Sequence, residues 1–338
     1  MRLFPISLSV ATCLLLATWN VQAATATPPL TSGAAAQALY AQWFVPQSAQ
    51  ASAAAQQLQH QLQQYCAGTG KVEAVRTQFR QASQDWERLS ALAMGPQIER
   101  RTARMIDFQP MRLPLLKSAL RKAPKDVAAM ETIGAPAKGF PAAEYLLWSD
   151  VAQPRTPACH YASLVAADLA QELHSLHQAN QQAAQFTQFT QLDFDSNGEF
   201  INQWVGGLER LRWAAMEKPL RSASADKPAQ VTRAASQGTL ASWQAQWSTL
   251  RHLAADDAQQ PDHVSIARLV EVQGWERLAH EVRTAVQQAD AAMQAIQQPT
   301  LEQVLPAGKA LSQLKHLIEN DVALALDITI GFSDADGD

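Results

Sequence analysis

One carboxylate with bulky apolar neighbours is the first residue of this sequence that could do chemistry. Glu144 lies in the stretch K-G-F-P-A-A-E-Y-L-L-W at residues 138–148, five residues after Gly139. A metal site with the spacing Gly-x-His-x-x-Glu would need a His at position 141, where this chain has Pro141. Pro is favourable in the first turn of a helix, because the N–H that it lacks has no intrahelical partner there. Glu144 is therefore either a metal ligand or acid–base group, or a helix-start carboxylate that binds nearby backbone donors.

Other residues could supply further metal ligands, since one carboxylate cannot hold a transition metal by itself. Asp334, Asp336 and Asp338 resemble the start of a calcium loop, and the alternative is a solvated acidic tail. Three pairs have the spacing of one helix face, which chance also produces on solvated helices: His174 with His177, Glu276 with His280, and His316 with Glu319. These residues fix no cofactor, and the candidate metals are iron, zinc and calcium.

A basic cluster could receive an anionic ligand. Its members are Arg100, Arg101, Arg104 and Arg112, around a proline-rich segment. The same residues could instead pair with Asp and Glu across an interface, and this is the interpretation that we favour.

The elements that must position these residues are helices, because Ala and Gln dominate the chain and strand alternation is nearly absent. Residues 107–138 contain four prolines and are expected to be irregular. Most tryptophans fall on predicted helices and are expected in the core or at an interface: Trp86, Trp204, Trp213, Trp243, Trp247 and Trp275. The predicted helices cover residues 33–66, 71–93, 96–106, 156–192, 196–218, 233–257, 262–297 and 300–327.

These helices predict an all-α fold of two up-down bundles side by side, because four antiparallel helices can enclose one core. We assign residues 24–150 to an N-terminal bundle that includes the proline-rich segment. Residues 151–338 form the predicted C-terminal bundle with its acidic tail.

The first 23 residues have the pattern of a secretory signal peptide. Arg2 precedes an apolar core at residues 8–18, and V-Q-A at residues 21–23 predicts cleavage after Ala23. Cleavage would leave 26 basic and 31 acidic residues, a net charge of −5, which argues against a nucleic-acid partner.

Two cysteines would remain after cleavage, Cys66 and Cys159. In an exported protein an even pair predicts one disulfide, and the alternative is two buried free thiols. Several catalytic motifs are missing from the sequence: H-E-x-x-H, which excludes an ordinary zinc peptidase helix, and also G-x-S-x-G, the P-loop, the dinucleotide fingerprint and C-x-x-C.

Four ordered stretches resemble the imelysin family, also called the M75 peptidase-like or insulin-cleaving-membrane-protease-like family. They are W-E-R-L-S-A-L-A-M-G-P at 86–96, I-D-F-Q-P at 106–110, G-F-P-A-A-E-Y-L-L-W at 139–148, and the terminal G-F-S-D-A-D-G-D. The resemblance implies two helical bundles with a site near their interface. It implies a periplasmic location, or peripheral association with the outer membrane, and a link to iron regulation and iron uptake.

The family's supposed metal site is Gly-x-His-x-x-Glu, so Gly139 and Glu144 match it and Pro141 departs from it. The resulting hypothesis is a non-catalytic periplasmic binding protein in iron acquisition or iron-responsive physiology. Its partner would be a protein or small ligand, with iron-transport components as candidates. Trp86 and Arg112 complete the list of candidate ligand-binding residues.

Two alternatives stay open. The first is a metal-dependent M75 peptidase that uses Glu144 with a His from elsewhere, such as His316. The second is a structural or surface interaction protein, which exposed apolar surface would favour.

Overall fold

The computed structural model describes residues 32–185, 196–255 and 263–331. Within these ranges the chain is helical, and the only β-type pairing is a single bridge between Ser224 and Lys227. The helices are α1 (Ser32–Leu39), α2 (Val45–Ala67), α3 (Val72–Ser90), α4 (Pro96–Glu99), α5 (Thr102–Ile106), α6 (Leu113–Lys122), α7 (Gly139–Trp148), α8 (Pro157–Ala184), α9 (Ser196–Glu209), α10 (Lys218–Arg221), α11 (Thr239–Ala254), α12 (Ile266–Val272), α13 (Glu276–Gln294), α14 (Leu301–Leu317) and α15 (Ala323–Ala325).

Shorter helical segments join several of these helices. In the described parts of the chain, the segments Tyr40–Phe44, Arg210–Glu217 and Ile318–Val322 are π-helical, and Ala128–Thr132 and Ala135–Ala137 are 3-10 turns. Among the described residues, no helix combines the length and apolar character needed to cross a membrane.

The first half of the chain is organised around α2 and α8, which pack along each other. Helix α3 packs on α2, and α7 packs on both α8 and α3. A disulfide joins Cys66 at the end of α2 to Cys159 at the start of α8, with the two Cα atoms 5.5 Å apart. The predicted pairing is confirmed. By closing a loop across 93 positions, the bond stabilises the fold by about 4–5 kcal/mol in the chain-entropy model.

The second half packs α11, α12, α13 and α14 against one another and against the π-helical segment Arg210–Glu217. Helix α11 also packs on α3 of the first half. One hydrophobic cluster runs through both halves, and its largest buried side chains include Trp86, Trp204, Trp243 and Trp247. The all-α class is confirmed, and the division into two bundles stays a prediction.

Proline explains two differences from the predicted helices. The segment expected to be irregular contains α6, because Pro114 falls in the first turn of that helix, where its missing N–H costs nothing. The helix expected to end before Pro219 continues to Arg221, because a π-helical segment precedes α10 and Pro219 again falls in a first turn.

Two tryptophans that were expected in the core or at an interface lie at the surface of the chain. Trp213 is 40 % exposed, and the guanidinium of Arg212 lies 5.9 Å from its ring centroid. Trp275 is 52 % exposed, since it follows the left-handed Gly274 at the turn before α13. These two residues are therefore not core residues, and the interface alternative stays a prediction for them.

Candidate functional site

Helix α7 begins at a point of close backbone contact, and this contact positions Glu144. Gly139 has φ +75°, and a Cβ atom added there would overlap the carbonyl oxygen of Ile106 at the end of α5. Only glycine allows this approach without strain. The approach places Asp107, the residue after Ile106, beside the first turn of α7. Pro141 lies in that turn, buried.

The Glu144 carboxylate accepts two hydrogen bonds from one serine. The backbone N–H of Ser236 donates to Oε1 at 2.8 Å, and the Ser236 hydroxyl donates to the same oxygen at 2.6 Å. Arg80 Nε in turn donates to the Ser236 carbonyl oxygen at 3.0 Å. Glu144 is 8 % exposed, so this serine takes the place of solvent at the carboxylate.

Arg233, three residues before Ser236, is the cation at the centre of the site. Its Nη2 atom lies 2.6 Å from Asp107 Oδ2 and 3.1 Å from Glu87 Oε1. The guanidinium carbon also lies 5.2 Å from the ring centroid of Phe140. Arg233 is 2 % exposed and has φ 60°, so a non-glycine residue holds a left-handed conformation in order to place this charge.

Neighbouring side chains hold the carboxylates in position. Trp86 Nε1 donates to Asp107 Oδ2 at 2.9 Å, and Gln246 Nε2 donates to Glu87 Oε2 at 2.8 Å. The site therefore combines α3, the residue after α5, α7, the segment before α11, and α11 itself. We call Glu87, Asp107, Glu144, Arg233 and Ser236 the buried carboxylate cluster.

Burial changes the pKa of two members of this cluster, Glu87 and Arg233. Desolvation is the largest effect on Glu87; the charge of Arg233 opposes it and that of Asp107 adds to it, and together they raise the pKa of Glu87 to about 7. Burial alone would lower the pKa of Arg233, but the charges of Asp107, Glu87 and Glu144 raise it above its usual value. Arg233 therefore stays charged, and Glu87 titrates near neutral pH.

The space beside the cluster is small. A cavity of about 10 Å³ is lined by residues that include Arg80, Ser83, Arg233 and Ser236. That volume admits about one water molecule. A peptide substrate or a hydrated metal ion does not fit there.

The residues present do not fit a resident metal ion at Glu144. In the described ranges, no group of three or more His, Cys, Asp and Glu side chains could hold a metal. Pro141 offers no ligand atom where the motif has its His. Two of the carboxylates, Glu87 and Asp107, pair with the guanidinium of Arg233 instead of a metal ion.

The structure separates the other predicted site residues from Glu144. His316 is on α14, its side chain 66 % exposed and its Nδ1 atom 3.7 Å from Glu319 Oε2. Arg112 is exposed and donates its backbone N–H to the Pro136 carbonyl. Trp86 does belong to the site, through Asp107. Asp334, Asp336 and Asp338 lie outside the described residues.

The remaining His pair and the arginine cluster also have defined surroundings. His177 Nδ1 lies 3.0 Å from the Ser48 hydroxyl, and burial together with the nearby charge of His174 lowers the pKa of His177. Arg100 forms a 2.6 Å ion pair with Glu172, as the pairing interpretation predicts. For the other three arginines the interpretation stays a prediction, since within the described ranges none has an ion-pair partner: Arg101, Arg104 and Arg112.

Sequence reasoning missed Glu87, Asp107, Arg233 and Ser236 as site residues. Glu87 and Asp107 do lie inside the stretches W-E-R-L and I-D-F-Q-P that carry the family resemblance. Arg233 and Ser236 gave no signal, because residues 233–257 were predicted to be one helix and α11 begins only at Thr239.

A larger groove lies elsewhere, between α2 and α8 beside the disulfide. It has a volume of about 610 Å³, and its lining includes Gln63, Arg155, His160 and Leu164. The buried carboxylate cluster contributes no residue to its lining.

The family model for imelysin (Peptidase_M75) matches residues 31–322. This chain belongs to the imelysin family. Among curated proteins, none matches the chain.

Two solved structures have the same fold. An imelysin-like protein from Psychrobacter arcticum 273-4 superposes with a TM-score of 0.73 at 17 % identity, covering 89 % of this chain and 98 % of that one. A protein described as an iron-regulated protein A precursor, from Parabacteroides distasonis ATCC 8503, gives 0.72 at 12 % identity, covering 90 % and 97 %. At these identities the likeness extends to the fold alone.

Proposed function

We propose that this chain is an exported, non-catalytic binding protein of the imelysin type, acting in iron acquisition or iron-responsive physiology. One observation carries the proposal: Glu144 is buried under Ser236, and the cation among the neighbouring carboxylates is Arg233 rather than a metal ion. The link to iron rests on the family and on the description of the relative from Parabacteroides distasonis.

The peptidase alternative needs two things that the geometry around Glu144 does not favour. A metallopeptidase places a general base beside a metal-activated water with room for the scissile bond. Here the Glu144 oxygen accepts two hydrogen bonds from Ser236, and the adjoining cavity is about 10 Å³. His316, the proposed second ligand, is an exposed residue of α14.

Metal content tests the non-catalytic reading directly. The wild type would be purified from the periplasm without chelator or affinity tag, analysed by mass spectrometry, and titrated with iron, zinc and calcium. The same titrations would be made on Pro141→His, Arg233→Met and the double variant, with circular dichroism to check that each is folded.

We expect the wild type and Pro141→His to stay empty, because Arg233 still neutralises the carboxylates in both. Binding that appears only in the double variant would support the idea that Arg233 excludes the metal. Near-stoichiometric metal in the wild type would overturn the proposal.

Proteolysis supplies an independent test of the enzyme alternative. Metal-loaded wild type would be incubated with reduced, carboxymethylated casein, and cleavage followed by mass spectrometry. We expect no cleavage. Cleavage that is lost in Glu144→Gln would establish the peptidase instead.

A further inference from the structure

Basic charge is concentrated in one short part of an acidic chain. Residues 96–125 contain eight Lys and Arg against two Asp and Glu, a net charge of +6, whereas the whole chain has −4. The rest of the sequence therefore has a net charge of −10. Such segregation creates a local positive potential that the net charge of the protein conceals.

The fold gathers this charge in one place. Helices α4, α5 and α6 all pack against α8, so the charge that they carry is gathered around that helix. We call residues 96–125 the basic layer. Arg100 pairs with Glu172, but the other basic side chains of the layer are exposed, and in the part of the chain that the structure describes none has an ion-pair partner: Arg101, Arg104, Arg112, Lys117, Arg121, Lys122 and Lys125.

Apolar side chains protrude among these charges. Ile98 on α4, Met105 on α5 and Leu115 on α6 are 38 %, 41 % and 45 % exposed. Leu115 also borders a cavity of about 110 Å³ whose lining includes Ile133 and Ala137. Each of the three helices thus adds one apolar contact to the cationic surface.

The backbone conformation of Arg101 also indicates that the basic layer is a functional surface. Arg101 has φ 55°, in the left-handed region that favours glycine, and it is the residue immediately before α5. An arginine at such a position keeps a charged side chain at the surface although its backbone conformation is strained. Strain of this kind is concentrated at functional positions.

We propose that the basic layer docks on an anionic phospholipid surface. Exposed Lys and Arg beside the headgroups attract the surface, and protruding apolar side chains enter the boundary between headgroups and acyl chains. The layer includes three lysines, a residue that is depleted in protein–protein interfaces. A lipid surface, by contrast, is attracted by Lys and Arg alike. The remaining acidic surface keeps the rest of the protein in solvent.

Vesicle flotation tests the proposal with tag-free mature protein. One set of vesicles would be phosphatidylglycerol and phosphatidylcholine in equal parts, and the other pure phosphatidylcholine, each at 0.05 M and 0.5 M salt. We expect binding to the anionic vesicles at low salt, strong weakening at high salt, and none to pure phosphatidylcholine.

The variants are matched in charge. The layer variant replaces four exposed cations by Arg101→Gly, Lys117→Gln, Arg121→Gln and Lys122→Gln. Its control replaces four exposed cations elsewhere by Lys71→Gln, Lys227→Gln, Arg277→Gln and Lys309→Gln. Each charge removed from the layer should lower the partition coefficient about fivefold, and the control should bind as the wild type does.

The outcomes distinguish a lipid surface from an acidic protein as the partner of the basic layer. Equal loss of binding in the two variants would overturn the proposal, because net charge alone would then explain it. Absence of binding by the wild type at low salt would also overturn it and would leave an acidic protein as the partner of this layer. Leu115→Gln should leave the melting temperature unchanged. It should weaken binding to anionic vesicles by a larger factor at high salt than at low salt.

Discussion

The buried carboxylate cluster and the basic layer use the same chemical group in opposite ways. Arg233 is 2 % exposed and lies within 3.1 Å of two carboxylates. Arg101, Arg104 and Arg112 are exposed, and within the described ranges they have no carboxylate within ion-pair distance. A guanidinium that is paired and buried holds the fold together, whereas one that is unpaired and exposed is free to meet a partner.

The difference has an energetic reason. A charge removed from water must be repaid by close partners, and the loss of either partner then leaves an isolated buried charge. An exposed charge loses little when a neighbour is removed, because water screens it. The density of charge along a sequence therefore says little about which charges stabilise the protein.

The largest expected effect is that of Arg233→Met. This change leaves Glu87 and Asp107 buried without their cation, and we expect the free energy of unfolding to fall by about 3–5 kcal/mol. Urea denaturation at pH 7 measures it. Arg104→Met, in the basic layer, is the control and should change stability by less than about 0.5 kcal/mol. Similar effects of the two changes would remove the distinction between the regions.

Gly139→Ala tests the close approach that positions the cluster. The added methyl group would overlap the Ile106 carbonyl, and φ +75° is also unfavourable for alanine. We expect a loss of about 2–4 kcal/mol in urea denaturation.

Gly274→Ala is a matched control for this change. Gly274 has φ +87°, but an added Cβ would meet nothing within 4 Å. It should cost only the strain of the left-handed conformation, about 1 kcal/mol. Equal losses at the two glycines would show that the backbone contact with α5 does not matter.

The pH dependence of stability should report on Glu87. Its pKa is about 7 in the folded protein against an ordinary value of 4.5 for a glutamic acid, so the folded state binds the proton more tightly than the unfolded chain does. The stabilising contribution is then complete below pH 4.5 and is lost as pH rises through 7.

The measurement compares wild type with Glu87→Gln by urea denaturation at pH 5, 6, 7 and 8. Relative to the variant, which does not titrate at this position, the wild type should become progressively less stable over this range. A constant difference would mean that Glu87 stays ionised in the fold and that Arg233 outweighs its burial.

Ser236→Ala should have a smaller effect. The change removes the 2.6 Å hydroxyl contact with Glu144 and keeps the 2.8 Å backbone contact. We expect a loss of about 1.5–3 kcal/mol, the range for a hydrogen bond to a charged group. Thermal unfolding measures it, and Ser224→Ala in the exposed turn is the control. A neutral result would mean that solvent reaches Glu144.

Arg101→Gly completes the comparison with the smallest effect and the opposite sign. Glycine relieves the strain of the left-handed conformation at φ 55°. Removing the Arg101 charge breaks no ion pair within the described residues. The free energy of unfolding should stay equal or rise by up to about 1 kcal/mol. Destabilisation by more than that would show that Arg101 holds the fold as Arg233 does.

Local signals predicted much of the helical fold correctly. The helix predicted to begin at residue 156 is α8, and the Thr156 hydroxyl caps it by accepting the Cys159 N–H at 3.2 Å. The disulfide followed from two cysteines and an export signal. The prediction that residues 107–138 are irregular holds except for α6. It missed this helix because it counted prolines without asking whether Pro114 falls in a first turn.

The site was only half predictable. Gly139 and Glu144 stand together in one stretch, so a motif could reveal them. Ser236 reaches Glu144 across 92 positions of sequence. Arg233 and Gln237, on either side of it, have left-handed φ angles that propensity does not forecast. Tertiary packing makes such contacts, and a single sequence has no periodicity that encodes them.

Arg233 also bears on how the protein matures. A cluster of acids that waits for a metal ion can be completed only when that ion is supplied, and a cell short of metal would then accumulate unfinished molecules. Here the neutralising cation is encoded in the polypeptide. Each newly made molecule can complete its own interior, whatever the concentration of metal around it.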